Sequence, residues 1–343
     1  MTDSSVQVRQ LERYMSTTLQ AVGLPADDAH TVAHLMAEAD LQGSDGHGVI
    51  RLPQYCKRIQ AGGVNTRPTI RVEQERAATA LIHGDNGMGH LVMKQATELA
   101  IHKARQSGMA WVGSHFSNHA GPASLYARMA LEHDMIGLYF AVGNANHLPP
   151  WGGLSMLLST NPIAAAIPAG EEAPIVLDMA TTVAAYGKVK AKAQRGEMMP
   201  EGWMMDRLGQ PLLDPKRSEE GFLLPIGGYK GYGLGIIAEM FAGALTGSGC
   251  SDPAAPYLIN GMFALLIDPE RIPNDIGFGQ EVERFIAFVK QSRKATPESE
   301  ILMPGEIEAR TKRQRLAEGI ELDDITWKSL CDCAQSLGVA VSI

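Results

Sequence analysis

Strand-like and helix-like segments alternate through the middle of this 343-residue chain, and no other feature restricts its fold as much. "ATALIHG" at 78–84 reads as a strand, and "MGHLVMKQATELAIHKARQSG" at 88–108 as an amphipathic helix closed by Gly108. "MAWVGS" at 109–114 is a strand again, "GPASLYARMALEHD" at 121–134 is helical, and "MIGLYFAVGN" at 135–144 is a buried strand. "NPIAAAIPA" at 161–169 and "APIVLDMA" at 173–180 add two apolar strands. Helical patterns flank this core. Residues 5–23 and 25–43 come before it, with Pro25 opening and Gly43 closing the second, and 278–292 and 323–338 come late. Also expected are a helix over "GYGLGIIAEMFAGALTG" at 231–247 and a strand over "MFALLIDP" at 262–269. Residues 195–215, rich in Gly, Pro and Met, show no period and read as an ordered surface excursion.

The reading is an α/β fold whose central sheet is flanked by helices, with a helical domain made from the chain ends. Residues 1–70 form the N-terminal helical segment, 71–300 the α/β core, and 301–343 the C-terminal helices packing back on the first. A formal charge of −8 and no basic run beyond "KRQR" argue against a sequence-independent grip on nucleic acid. No signal-like N-terminus and no membrane-length apolar run is present, so a cytoplasmic protein is expected. Cys56, Cys250, Cys331 and Cys333 read as small buried hydrophobes rather than as a disulfide or metal framework.

A G-x-G-x-x-G turn between strand and helix, the mark of a Rossmann dinucleotide site, is absent. "GGYKGYGLG" at 227–235 offers another phosphate cradle, with Lys230 where a helix begins, although its glycines equally suit close helix packing. The densest chemistry lies in "GSDGHGVIRLP" at 43–53. His47 and Arg51 are four apart and share a face if the segment turns helically. An arginine fork binds a carboxylate and a histidine moves a proton near neutral pH, which suits a 2-oxo acid. The alternative is a capping histidine beside a surface arginine. His115 and His119 follow a strand, and Asp178 ends another.

Together "DGHGVIRLPQY", "SNHAG", "STNPIAAAIP", "IVLDMATT", "MPEGWMMDRLGQPLLDP", "LLPIGGYKGYGLG" and "LMPGE" resemble the malate/L-lactate dehydrogenase family that lacks a Rossmann fold. That family includes ureidoglycolate, sulfolactate and diketogulonate dehydrogenases and Δ1-piperideine-2-carboxylate reductases. The resemblance spans nearly the whole chain and implies a homodimer acting on a small 2-oxo or 2-hydroxy acid, or a cyclic 2-imino acid, with NAD or NADP. It places the proton-donating histidine on His47 and the carboxylate-binding arginine on Arg51, with further substrate contacts at Thr160, Tyr186 and Gly187. Cofactor contacts fall on His119, Ala120, Gly121, Pro122 and Ala123, on Asp178, Met179 and Ala180, and on Tyr229 and Lys230. The last of them form a loop, Leu302, Met303, Pro304, Gly305, Glu306, Ile307 and Glu308.

Asp178 either orients His47, as a catalytic partner, or binds the nicotinamide amide. The family's usual serine before the histidine is Gly46 here, so Asp45 or a water would stand in for its hydroxyl. Glu306 and Glu308 in the loop favour NAD over NADP, with Arg310 and Lys312 able to offset them and Lys188, Lys190 and Lys192 forming a second basic stretch. Two other function classes are open: a metal-dependent hydrolase or lyase on His47, His115 and His119, and a non-catalytic small-acid binder using Arg51 and the Lys230 region. No resident metal is expected.

Overall fold

A computed structural model of the chain describes residues 4–143, 145–252, 254, 260–273 and 275–340. Its centre is a seven-stranded mixed sheet of β2 (Arg71–Glu75), β3 (Thr79–Gly87), β4 (Met109–Ser117), β5 (Ile136–Ala141), β6 (Ile163–Ile167), β7 (Ile175–Met179) and β10 (Met262–Ile267). The spatial order is β2-β3-β4-β10-β5-β6-β7. Only β3 and β4 run parallel, joined by the crossover helix α4 (Gly89–Ser107), and every other neighbouring pair is antiparallel. β10 slots between β4 and β5 and is covered on both sides. Met262, Ala264 and Leu266 join one core while Phe263 packs with Val142 and Ala242 on the other, the period-2 signature of a central strand. α4 and α5 (Ser124–Met129) cover the first face over a cluster that buries Ile82, Val92, Val112, Tyr126 and Tyr139.

The chain ends build a second core. Helices α1 (Val8–Ala21), α2 (Ala26–Leu41), α3 (Leu52–Gln60) and α10 (Asp324–Leu337) bury Leu11, Met15, Leu19, Met36, Leu52 and Leu330 together. Tyr14 donates its hydroxyl to the Leu330 carbonyl at 2.6 Å. β1 (Ser4–Val6) pairs antiparallel with β11 (Ile320–Leu322), so the expected first helix begins only at Val8. Cys56 lies in this core and Cys333 packs against it.

The aperiodic stretch is less of an excursion than expected. α6 (Tyr186–Arg195), β8 (Met204–Asp206) and β9 (Gly221–Leu223) enclose Val189, Met199, Met204, Leu212 and Leu223 in a small core of their own. α7 (Tyr229–Ala238) starts two residues before the expected helix and passes into a π-helical turn at Glu239–Ala244. α8 (Phe278–Lys290) and α9 (Glu306–Glu318) complete the order. α9 buries no residue, and it starts inside the segment expected to be a loop. No helix among the described residues is long and apolar enough to cross a membrane.

Candidate functional site

His47 and Arg51 do not sit on one helical turn. Asp45–His47 and Val49–Arg51 are two short 3-10 turns, separated by Gly48 at φ −87° and ψ −140°. The guanidinium curls back on its own segment, Nε donating to the Gly46 carbonyl at 2.6 Å and Nη1 to Gln54 Oε1 at 2.8 Å. A guanidinium carries five N–H donors, so three remain for a ligand. The two groups are still within electrostatic reach. Burial first, and the Arg51 cation second, push the His47 imidazole down to about 4. Its Nδ1 is buried and has no hydrogen-bond partner among the described residues. The carboxylate of Asp45, the side chain expected to stand in for a serine hydroxyl before His47, is paired with Arg315 of α9.

The His47 ring stacks on that of His119, centroids 5.2 Å apart and 11° from parallel. His119 Nδ1 lies 2.6 Å from the Tyr55 hydroxyl, on α3 one helical turn beyond Arg51. Burial, then the neighbouring charges of His47, Arg51 and His90, hold His119 well below its usual range. Tyr55 meets His90 edge-on at 5.7 Å, and His90 is buried and pushed down to about 3 by desolvation. Tyr55 and His90 were not singled out from the sequence. The signal for Tyr55 is its place four residues after Arg51, which caps the helix that carries Tyr55, whereas nothing local marks His90.

Three of the expected cofactor segments converge beside this ring cluster. Asn118, buried and donating to Asn86 and Gly87, fixes the start of the 119–123 turn, and Arg58 and Asn260 hold it from either side. Gly121 has φ +82°, and a Cβ there would press on His90 Nε2 at 3.2 Å, so the turn demands glycine. Asp178, at the end of β7, accepts the Ser124 amide at 2.8 Å. Pro304 accepts the Val176 amide at 2.8 Å, which ties the 302–305 stretch to the same strand. Burial raises Asp178, the hydrogen bonds from Ser124 and the Arg128 cation lower it, and Glu308 raises it. It caps the end of the 119–123 turn, and no hydrogen bond joins it to His47 among the described residues.

Thr160 stands at the head of β6, its carbonyl taking both the amide and the hydroxyl of Thr181 at 2.9 and 3.0 Å. The next residue, Asn161, donates to the Gly235 carbonyl in α7 and to the buried carboxylate of Glu239, which ties the Thr160 segment to α7. Tyr229 and Lys230 open α7, both exposed, and no ion pair holds Lys230 among the described residues. A free ammonium on the first turn of a ten-residue helix, and glycine turns at Gly121 and Gly305, are donor chemistry that fits a pyrophosphate and its nicotinamide.

Other expected residues lie elsewhere. Tyr186 stacks on His147 at 4.2 Å and touches Ser218, with Lys190 over its ring, and Gly187 beside it has open space around it. His115 pairs with Glu73 at 2.8 Å and abuts His83, a different cluster from His47 and His119. Among the described residues no three His, Cys, Asp or Glu side chains are grouped to hold a metal ion.

Comparison with known proteins gives a consistent result. The family model for malate/L-lactate dehydrogenase matches residues 6–331. The chain is 37% identical over 332 residues to L-sulfolactate dehydrogenase of Methanothermobacter thermautotrophicus, covering 95% of each. It is 32% identical over 327 residues to the NAD(+) ureidoglycolate dehydrogenase of Escherichia coli O157:H7, covering 93% of each. The structure of malate dehydrogenase from Pyrococcus horikoshii superposes with a TM-score of 0.89 at 34% identity, covering 98% of this chain and 96% of that one.

Proposed function

From the premise that the chain belongs to the malate/L-lactate dehydrogenase family and is a dehydrogenase, we propose that it moves a hydride between nicotinamide C4 and C2 of a small acid. That acid is a 2-hydroxy/2-oxo acid or a cyclic 2-imino acid, each with a carboxylate beside C2. The observation that carries the reading is the His47–Arg51 arrangement: a half-buried imidazole, its Nδ1 shielded from solvent, within electrostatic reach of a guanidinium that keeps three N–H donors free. Arg51 takes the carboxylate. His47, neutral at pH 7, removes the hydroxyl proton in oxidation and returns it to oxygen or nitrogen in reduction. Carboxylate binding offsets the Arg51 charge that depresses His47, so the bound acid itself raises the basicity His47 needs to hold the proton. Thr160, just ahead of β6, and Tyr186 with Gly187, which within one copy lie apart from His47, would add further contacts to the acid.

A bound NAD or NADP supplies or accepts the hydride. The turn 119–123, Asp178 to Ala180, Tyr229 with Lys230, and residues 302–308 would hold it, Asp178 as a binding rather than a proton-transferring group. NAD is favoured, and a relative at 32% identity is named for NAD(+). The protein works as a homodimer in the cytoplasm. Leu234, Ile237, Phe241 and Leu245 follow one another along one side of α7 and its π-turn, each 40% or more exposed, an apolar stripe that a second copy would cover. The test is a panel of 2-oxo acids and cyclic imines with NADH and with NADPH, read as loss of reduced nicotinamide absorbance. Absence of turnover across the panel defeats the reading, and sedimentation reads the dimer.

A further inference from the structure

The bend between His47 and Arg51 is built around a carboxylate. Asp40, near the end of α2, is 2% exposed, and its Oδ2 accepts the Val49 amide at 2.8 Å. Its other oxygen occupies the space where a side chain on Gly48 would begin, since a Cβ there would fall 1.7 Å from Oδ1. One buried group therefore fills the inside of the joint between the turn that carries His47 and the turn that carries Arg51. Gly48 is the residue that lets the backbone lie against it. The bend in turn brings Arg51 Nε onto the Gly46 carbonyl. Arg315 of α9 braces the same joint from outside, donating to the Asp40 carbonyl and to the Asp45 carboxylate.

Burying a carboxylate is costly, and the end of a helix in an apolar core has no need of one. Here the acid is used to hold one backbone amide, the amide that begins the Arg51 turn. We infer that Asp40 is a positioning residue of the site: it fixes the separation and orientation of His47 relative to Arg51 and exchanges no proton with the substrate. The inference rests on the assignment of His47 and Arg51 proposed above.

The experiment compares Asp40→Ala, Asp40→Asn, Gly48→Ala and His47→Ala. Steady-state kinetics use NADH and whichever of oxaloacetate, pyruvate and 2-oxoglutarate the wild type reduces fastest. Thermal midpoints and NADH binding by fluorescence are measured alongside. Asp40→Ala should lose about a hundredfold in kcat/KM, divided between a higher KM and a lower kcat, with NADH affinity unchanged, because a misplaced pair loses geometry on both groups. Asp40→Asn keeps an oxygen for the Val49 amide and should recover most of the loss. Gly48→Ala displaces the joint from the other side with Asp40 intact and should reproduce the loss. Should Asp40→Ala fail to fold, Gly48→Ala and Asp40→Asn still decide the matter. Wild-type kcat/KM in folded Asp40→Ala or Gly48→Ala, or a loss in Asp40→Asn as large as in Asp40→Ala, overturns the inference. If His47→Ala keeps full turnover, the assignment beneath it falls instead, so the two failures are distinguishable.

Discussion

His47 and His119 lie face to face, 5.2 Å between ring centroids, with His119 Nδ1 hydrogen-bonded to the Tyr55 hydroxyl. Two stacked imidazoles beside one arginine cannot readily both be cationic, and burial keeps each of them neutral at pH 7. Only His47 carries the Arg51 guanidinium as the leading charge acting on it. The proposal therefore gives the proton to His47 and the orienting of its ring to His119. His47→Ala should lower kcat by roughly a hundredfold or more, as expected for a positioned general acid, while NADH affinity stays nearly unchanged. Unaltered turnover removes His47 from the reaction.

Arg51 should act on binding and on His47 separately. Arg51→Lys swaps a fork for a point charge and should chiefly raise KM for the 2-oxo acid. Arg51→Gln removes the cation that depresses His47, so the imidazole should titrate at higher pH than in the wild type, where it lies at about 4. NMR titration of the His47 ring protons reads this directly. A titration that stays in place or moves down contradicts the placement of the guanidinium.

Stability should fall in acid through the buried imidazoles. His47 and His90 titrate at about 4 and about 3 in the folded chain, against about 6.5 for an unperturbed histidine. Between those values the unfolded chain binds more protons, so their contribution is complete above about pH 6.5 and is lost as pH drops toward 4 and 3. His90→Leu takes one of these protons out of the balance and should flatten the decline of the thermal midpoint between pH 6.5 and 4. An unchanged slope means that His90 is not held neutral.

The elements legible in the sequence were those with a period and a stop: α4 closed by Gly108 at φ +82°, and the alternating β4 and β5. β2 escaped notice because "RVEQE" is exposed at all five positions, an edge strand with no apolar face to betray it. α9 gives no boundary in the sequence for the same reason: it buries no residue, and its first turn falls in the 302–308 stretch that reads as loop. The β1–β11 pairing and the place of β10 are contacts between distant parts of the chain, which local pattern does not encode. At the site, residue types named the chemistry, but the bend at Gly48 did not follow from the four-residue spacing. It follows from Asp40, a residue that reads as an ordinary helix acid.

With the cofactor held as proposed, the choice between NAD and NADP turns on charge around α9. Of the two acids in its first turn, Glu306 is taken up by Lys290 of α8 and by the Met303 amide at 3.3 Å. The cations that could offset the acids are engaged as well, Arg310 with Glu300 and Lys312 with Glu38 at 2.6 Å. Arg128 lies within electrostatic reach of Glu308, Asp178 and Glu38, but its buried Nε has no hydrogen-bond partner, and neither it nor Glu308 forms an ion pair among the described residues. Glu308 is thus the acid left to meet a ribose, where it would accept hydrogen bonds from free hydroxyls and repel a phosphate dianion. Wild-type kcat/KM should be higher for NADH than for NADPH with one good substrate. Glu308→Gln should narrow that ratio by raising the NADPH value, whereas Glu306→Gln should leave it within about twofold, since losing a charge already paired with Lys290 changes little at the ribose. A wild-type preference for NADPH, or a larger change in Glu306→Gln than in Glu308→Gln, would show that the ribose lies on the other side of α9.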